Sequence, residues 1–264
     1  MKFKALLITS LCAVVVLLGV LVVLLAQALA ADSSSSDETA PPPITEPSSS
    51  IAAVSEPPAP PRRGSHAAIP PEVRASMKGI SMPEGATVSY DDLEYLTVYY
   101  HDFNYEHSEG HIIVARELAE EVLDIFAELY DIRYPIESVK LIDEFDGMKT
   151  KELDTLDRAS MGNNNTSAFC YRMTGYGTLS QHSYGRAIDL NPKINPYITS
   201  NGNVSPANAK QYVSRDGTSF SEIEQAAMVH KDDAVYNIFI AHGWKWGGDW
   251  KGEKDYQHFE KRIN

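Results

Sequence analysis

The feature that most limits what this chain can fold into is a break in composition. Between residue 32 and about residue 77 stand Ser33-Ser34-Ser35-Ser36, Pro41-Pro42-Pro43, Ser48-Ser49-Ser50, Pro57-Pro58 and Pro60-Pro61. Such a stretch has too little apolar surface to offset the entropy of ordering it, and proline keeps it extended, so residues 32–77 read as a disordered linker. A folded domain is then expected from residues 78–264, which is ample length for one hydrophobic core. Cys12 and Cys170 are the only cysteines. No disulfide framework is available, and packing must hold the fold.

Ahead of the linker, Lys2 and Lys4 precede an uninterrupted apolar run from Ala5 to Leu25, followed by Ala28-Leu29-Ala30. A charged start, an apolar stretch and a small-x-small site make residues 1–31 an export signal peptide. The run is also long enough for an uncleaved signal anchor, which would tie the protein to the membrane. Both readings place the domain outside the cytoplasm, membrane-anchored or secreted to the cell wall, with the positive charges left inside. The chain carries 23 Lys+Arg against 36 Asp+Glu, a net charge of −13. The first 77 residues hold five basic and six acidic side chains, which leaves 18 against 30, or −12, from Lys78 onward. A domain this acidic repels polyanions, so nucleic acid is excluded as a partner. A monomer is expected.

The periodicity of Ile112, Ala115, Leu118, Ala119, Val122, Ile125, Phe126 and Leu129 predicts a helix from about Gly110 to Tyr130. Ser138 to Ile142 alternates and predicts a strand. A second helical region is expected from Ser221 to His242, broken near Lys231-Asp232-Asp233, with Asp232 or Asp233 as a cap and Gly243 as the stop. Arg186–Leu190 and Tyr256–Phe259 read as short strands. Helices mixed with short strands, without regular βαβ spacing, define an α+β fold class.

Two motifs carry chemistry. Ser180-Gln181-His182-Ser183-Tyr184-Gly185-Arg186-Ala187-Ile188-Asp189 and Asp255-Tyr256-Gln257-His258-Phe259-Glu260 together supply two imidazoles and a carboxylate. His182, Asp189 and His258 suit one Zn2+ with an open fourth position. Gly185 allows the turn that aims His182 and Asp189 at one point. Asp255 is placed to act as general base and then as general acid to the leaving amine. Arg172, ten residues before His182, is the cation expected to stabilise an oxyanion.

The pattern Ser180-x-His182-x-x-Gly185-x-Ala187-x-Asp189, followed by Asp255-x-x-His258-Phe259-Glu260, resembles the VanY/VanX-type D-alanyl-D-alanine zinc metallopeptidases. It is most similar to the subgroup that includes L-alanyl-D-glutamate peptidases. Asn165-Thr166-Ser167-Ala168-Phe169-x-x-Arg172, Asn191-Pro192 and Gly243-Trp244-x-Trp246-Gly247-Gly248-Asp249-Trp250 extend the likeness from about Thr97 to the last residue. The resemblance implies a single α+β domain with a small antiparallel sheet and flanking helices, as in D-Ala-D-Ala peptidase and hedgehog domains. It also implies one zinc and hydrolysis of peptidoglycan stem peptides. It assigns His182, Asp189 and His258 as ligands, Asp255 as base and Arg172 as transition-state stabiliser. Several family members carry Glu where this chain has Asp255, which weakens the case for a dipeptidase. Three functions remain open: a D-alanyl-D-alanine carboxypeptidase, an L-alanyl-D-glutamate endopeptidase, and a zinc-bearing wall-binding module without catalysis.

Blander readings stand beside these. Ser180, Tyr184 and Glu260 either orient ligands and touch substrate or simply pack and cap. Trp244, Trp246 and Trp250 read as core and pocket wall. His101, His107 and His111 fit no strong ligand pattern, and Cys170 reads as a buried packing residue.

Overall fold

A computed structural model describes residues 61–145 and 153–263. The expected export segment and most of the linker lie outside the described residues, and so does the apolar run from Ala5 to Leu25. Among the described residues no helix is long and apolar enough to cross a membrane.

The strands and helices in chain order are β1 (Ser65–Ala67), α1 (Pro71–Met77), β2 (Leu93–His101), β3 (His107–Ala115), α2 (Ala119–Asp131), β4 (Ser138–Val139), α3 (Leu153–Gly162) and β5 (Asn165–Thr166). The rest are β6 (Ala187–Asp189), β7 (Tyr197–Ile198), β8 (Val204–Ser205), α4 (Glu222–Ala227), α5 (Ala234–Ala241), β9 (Lys245–Trp246), β10 (Lys254–Asp255) and β11 (His258–Glu260). The fold is α+β as expected. Among the described residues the sheet structure is divided into three small antiparallel sheets, ordered β1-β2-β3, β10-β7-β8 and β6-β11-β9, plus a parallel β4-β5 pair.

The folded unit starts earlier than residue 78. Ser65–Ala67 pairs with Tyr95–Thr97 of β2, while Ile69 and Met77 are buried against Leu93 and Ile113. Pro71 sits at the start of α1, where a missing N–H costs nothing. The last stretch of the expected linker is therefore part of the fold, with Pro71 as helix punctuation and Ile69 and Met77 as anchors.

The helix expected from Gly110 is also corrected. Residues 107–115 form β3 in a nine-residue ladder with β2, and the α-helix begins only at Ala119, after a 3-10 turn at Arg116–Leu118. Ile112 and Val114 enter the main core, while Ile113 enters a second core on the other face. A strand buried on both faces shows an unbroken β-branched run, which helical spacing can mimic. Of Ser138–Ile142 only Ser138–Val139 is strand, and a 3-10 turn starts at Ile142. The second helical region divides as expected into α4 and α5. Asp233 caps α5 by accepting from the Tyr236 N–H at 2.7 Å, and Gly243 ends it with φ +79°.

The main core explains where the functional motifs sit. Leu96, Val98, Ile112 and Val114 pack on Val122, Ile125, Phe126 and Leu129 of α2 and on Ile188, Phe239, Trp246 and Phe259. Ile188 and Phe259 are cross-strand partners on β6 and β11, both fully buried, and Phe259 stacks on Phe239 at 3.9 Å. Strand alternation then turns the next pair in register, Asp189 and His258, to the opposite face.

A chain beginning at Lys78 should be less stable than one beginning at Pro61, because Ile69 and Met77 would no longer be buried. At about 1.5–3 kcal/mol for each such side chain, the loss should be about 3–6 kcal/mol, read as a lower urea midpoint.

Candidate metal centre and active site

His182 sits in a 3-10 turn, Gln181–Tyr184, whose start is capped by the Ser180 hydroxyl accepting from the His182 N–H at 3.3 Å. Gly185 ends the turn at φ +65° and packs so closely that a Cβ would lie 2.4 Å from the Ala115 nitrogen. Its carbonyl accepts from that same N–H at 2.8 Å. Only glycine satisfies both the left-handed backbone and the close approach. The sequence expectation for Gly185 is met, with the added fact that the turn is pinned to β3.

Asp189 ends β6, and its backbone exchanges hydrogen bonds with Ser167 at 2.9 and 3.2 Å. Asn191, at φ +42°, anchors the chain just beyond the strand: its side chain donates to the Tyr134 hydroxyl at 3.1 Å and to the Pro135 carbonyl at 2.8 Å. His258 opens β11 directly opposite Asp189.

The donor atoms converge. His182 Nε2 lies 3.1 Å from His258 Nδ1, His258 Nδ1 lies 3.1 Å from Asp189 Oδ1, and His182 Nε2 lies 3.3 Å from Asp189 Oδ2. A tetrahedral ion with bonds of about 2.0–2.1 Å has ligand-to-ligand edges of about 3.3 Å, so this donor set fits a metal of zinc's size. It is the one such cluster among the described residues, and all three side chains are buried. The outer partners also fit. His182 Nδ1 faces the Ala168 carbonyl at 2.5 Å and His258 Nε2 faces Glu260 at 3.4 Å, each leaving the other nitrogen for the centre.

Without an ion the cluster holds protons instead. Burial works against charge on His258, but hydrogen bonds to Asp189 and Glu260 push it up to about 10. Burial likewise works against ionised Asp189, yet His182 and His258 hold it well below the usual carboxylate range. A site that favours positive charge this strongly is one where a divalent ion can replace the proton.

The cluster opens into a cleft of about 610 Å3. Asp255 lines it from β10, opposite Tyr197 of β7. Burial raises Asp255 to about 7, aided by Asp189 and Glu253 and opposed by His258 and Arg172. Its buried Oδ1 has no hydrogen-bond partner within the protein. Gly247 is what admits it: a Cβ there would lie 2.7 Å from the Asp255 Cβ. Arg172 also lines the cleft, and its backbone is tied to the ligand turn through the Ser183 hydroxyl at 2.9 and 2.8 Å.

Ser180 and Glu260 therefore support the two histidines. Tyr184 does not join them: it lines a separate cleft with Arg186 and Glu117, and the Arg186 guanidinium lies over its ring. Trp250 stands 5.4 Å from the His258 ring as cleft wall, whereas Trp244 and Trp246 belong to the core. His101, His107 and His111 stack on Tyr130, Tyr99 and Tyr95 and form no cluster. Cys170 is buried, and burial pushes its thiol up.

Several cleft residues escaped the sequence reading. Asp157 on α3 pairs with Arg172 at 3.3 Å and is raised by burial, with Arg172 opposing. Gln257 is 3 % exposed, with Nε2 3.5 Å from Asp189 Oδ2 and Oε1 unpartnered. Glu253 accepts from Tyr176 and Tyr197. Gln257 was recognisable by adjacency to His258; the others come from distant segments without a local signal.

Fold and site together define an α+β domain with an open cleft and a cluster that could hold a metal ion. Residues 174–261 match the family model described as D-alanyl-D-alanine carboxypeptidase, which makes this stretch VanY-like. The match covers about a third of the chain and includes His182, Asp189, Asp255 and His258, while Arg172 and Asp157 fall before it. No curated protein and no solved structure matches the chain.

Because Asp255 has a raised affinity for protons in the folded state, the metal-free fold binds more protons than the unfolded chain between about pH 4 and 7. Stability from this group is present below pH 4 and lost as pH rises through 7. Asp255→Asn should therefore stabilise the metal-free protein. The gain in thermal midpoint, measured in chelator, should grow from pH 4 to 7 and level off above.

Proposed function

We propose that the chain is an exported zinc metallopeptidase hydrolysing peptidoglycan stem peptides, a D-alanyl-D-alanine carboxypeptidase. The observation that carries this reading is the convergence of His182, Asp189 and His258 at tetrahedral spacing in a cleft that also presents the unpartnered Oδ1 of Asp255. Two imidazoles and one carboxylate suit zinc and leave a position for substrate. The description of the matching family supports the substrate class. Export rests on the sequence of residues 1–31 alone, and the acidic domain supports a partner that is not a nucleic acid.

When bound, the ion supplies Lewis acidity, polarising the scissile carbonyl and making a neighbouring water easier to deprotonate. Asp255 takes the proton of that water at Oδ1, and its raised proton affinity suits it to hold the proton until the amine leaves. Arg172, in the same cleft and paired with Asp157 at 3.3 Å, would stabilise the oxygen on which charge develops. The Ala168 carbonyl and Glu260 hold the two imidazoles in orientation, while Ser180 caps the turn that carries His182.

Cleavage of the L-alanyl-D-glutamate bond is the second reading, favoured by Asp255 standing where several family members carry Glu. A non-catalytic wall-binding module is disfavoured, because ionising a carboxylate held in this burial is a cost that binding does not need.

Digestion of purified muropeptides, with product masses read by spectrometry, separates these readings. Loss of one terminal alanine, abolished by chelator, supports the carboxypeptidase; scission after the first alanine supports the endopeptidase; no cleavage supports the module. His182→Ala should lose both metal and hydrolysis. Asp255→Ala should keep metal and lose at least about 100-fold in kcat. Gly247→Ala should bind metal but lose about 10–100-fold in turnover, because its Cβ displaces Asp255 by a fraction of an ångström or more.

A further inference from the structure

The charged groups of the cleft are almost all spent on one another. Arg172 pairs with Asp157 at 3.3 Å, and Glu260 pairs with Arg262 at 3.5 Å while facing His258. Lys254 Nζ turns away and donates to the carbonyls of Gly248 and Trp250 at 2.9 and 2.7 Å. Asp189 and Asp255 belong to the centre itself. Glu253 is left over: it lines the cleft and has no cationic partner among the described residues.

Glu253 is nevertheless held in place. Its Oε2 accepts from the Tyr197 hydroxyl at 2.7 Å and from the Tyr176 hydroxyl at 3.1 Å. Tyr176 is 78 % exposed, at the tip of a hairpin closed by the Thr174 N–H donating to the Thr178 carbonyl at 2.7 Å. Two hydroxyls from two separate segments thus fix one oxygen and leave Oε1 without a partner among the described residues. Fixing a carboxylate in this way prepares it for a charged donor. The buried, unpartnered Oε1 of Gln257 is an independent sign that the cleft awaits hydrogen-bond donors. Glu253 and Asp255 are two residues apart and face the same cleft, whereas Lys254 between them faces away. Glu253 stands in the bend that leads directly into β10, so it lies beside Asp255 and within one or two substrate residues of the scissile bond.

We infer that Glu253, set by Tyr176 and Tyr197, is a specificity-determining residue that recognises a primary ammonium group on the peptide substrate. This rests on the peptidase reading above. The ammonium has two sources, the side chain of a diamino acid near the scissile bond or the free amino terminus of the peptide. Side-chain recognition would select stem peptides bearing a free amine over those in which it is capped or cross-linked.

The test uses the metal-loaded full chain and synthetic stem-like peptides in matched pairs. One pair carries Lys or Nε-acetyl-Lys one or two positions from the scissile bond, and the other carries a free or acetylated amino terminus. For the wild type, kcat/KM should fall about tenfold when the recognised amine is capped, the worth of one charge-assisted hydrogen bond at a half-exposed site. The pair that shows the fall identifies the source. In Glu253→Gln, which keeps an acceptor for both tyrosines, the ratio within that pair should approach one. Equal wild-type rates within both pairs would overturn the inference while leaving the peptidase reading intact. So would a Glu253→Gln protein that keeps the full tenfold discrimination. A wild type that cleaves none of the peptides, with metal bound, would overturn the peptidase reading and the inference with it.

Discussion

The pairing of β6 with β11 is the constraint on which everything else depends. One face of this short ladder sends Ile188 and Phe259 into the main core, and the other presents Asp189 and His258 to the cleft. Two donor atoms 69 residues apart in sequence are thus set to 3.1 Å by the same alternation that buries two large apolar side chains. The metal-binding geometry needs no separate scaffold. A slip of one residue in this register would drive a carboxylate and an imidazole into the apolar core and turn two hydrophobes to the cleft, so the core enforces the site's geometry.

The third donor arrives by another device. His182 lies in a tight turn whose glycine is pressed against β3, so one of the two nine-residue strands acts as a backstop for the turn. The acidic side is built differently again. Asp255 is admitted by Gly247, and Arg172 is braced by Asp157 from α3. Donors, base and cation therefore stand on different elements, each fixed by steric contact or hydrogen bonding.

Much of the site was legible in the sequence, because the chemistry demands particular residue types at short spacing. His182, Gly185, Asp189, Asp255 and His258 fall within two stretches of ten and six residues, and the structure gathers the three donors as the spacing implied. Of the two roles left open for Tyr184 the structure favours the bland one, because adjacency along a turn does not decide direction: the residue two positions after a ligand faces another cleft. Asp157, Glu253, Tyr176 and Tyr197 could not be found, since each meets its partner only through tertiary folding. The helix expected at Gly110 failed for a related reason. Ile112, Ile113 and Val114 serve two cores, and a strand buried on both sides carries no alternation to read. The linker boundary at residue 77 failed because Ser- and Pro-rich composition ahead of it was extended too far, although Ile69 and Met77 are nearly inaccessible.

The long separation between His182 and His258 has a consequence for how the molecule persists. Joining groups 76 residues apart closes a large loop, and an ion that binds only the closed arrangement adds its binding free energy to the fold as a whole. Molecules that carry no ion would unfold more often and fall first to degradation. The surviving population would then be enriched in chains able to work, so that loading and lifespan are coupled without any dedicated sensor.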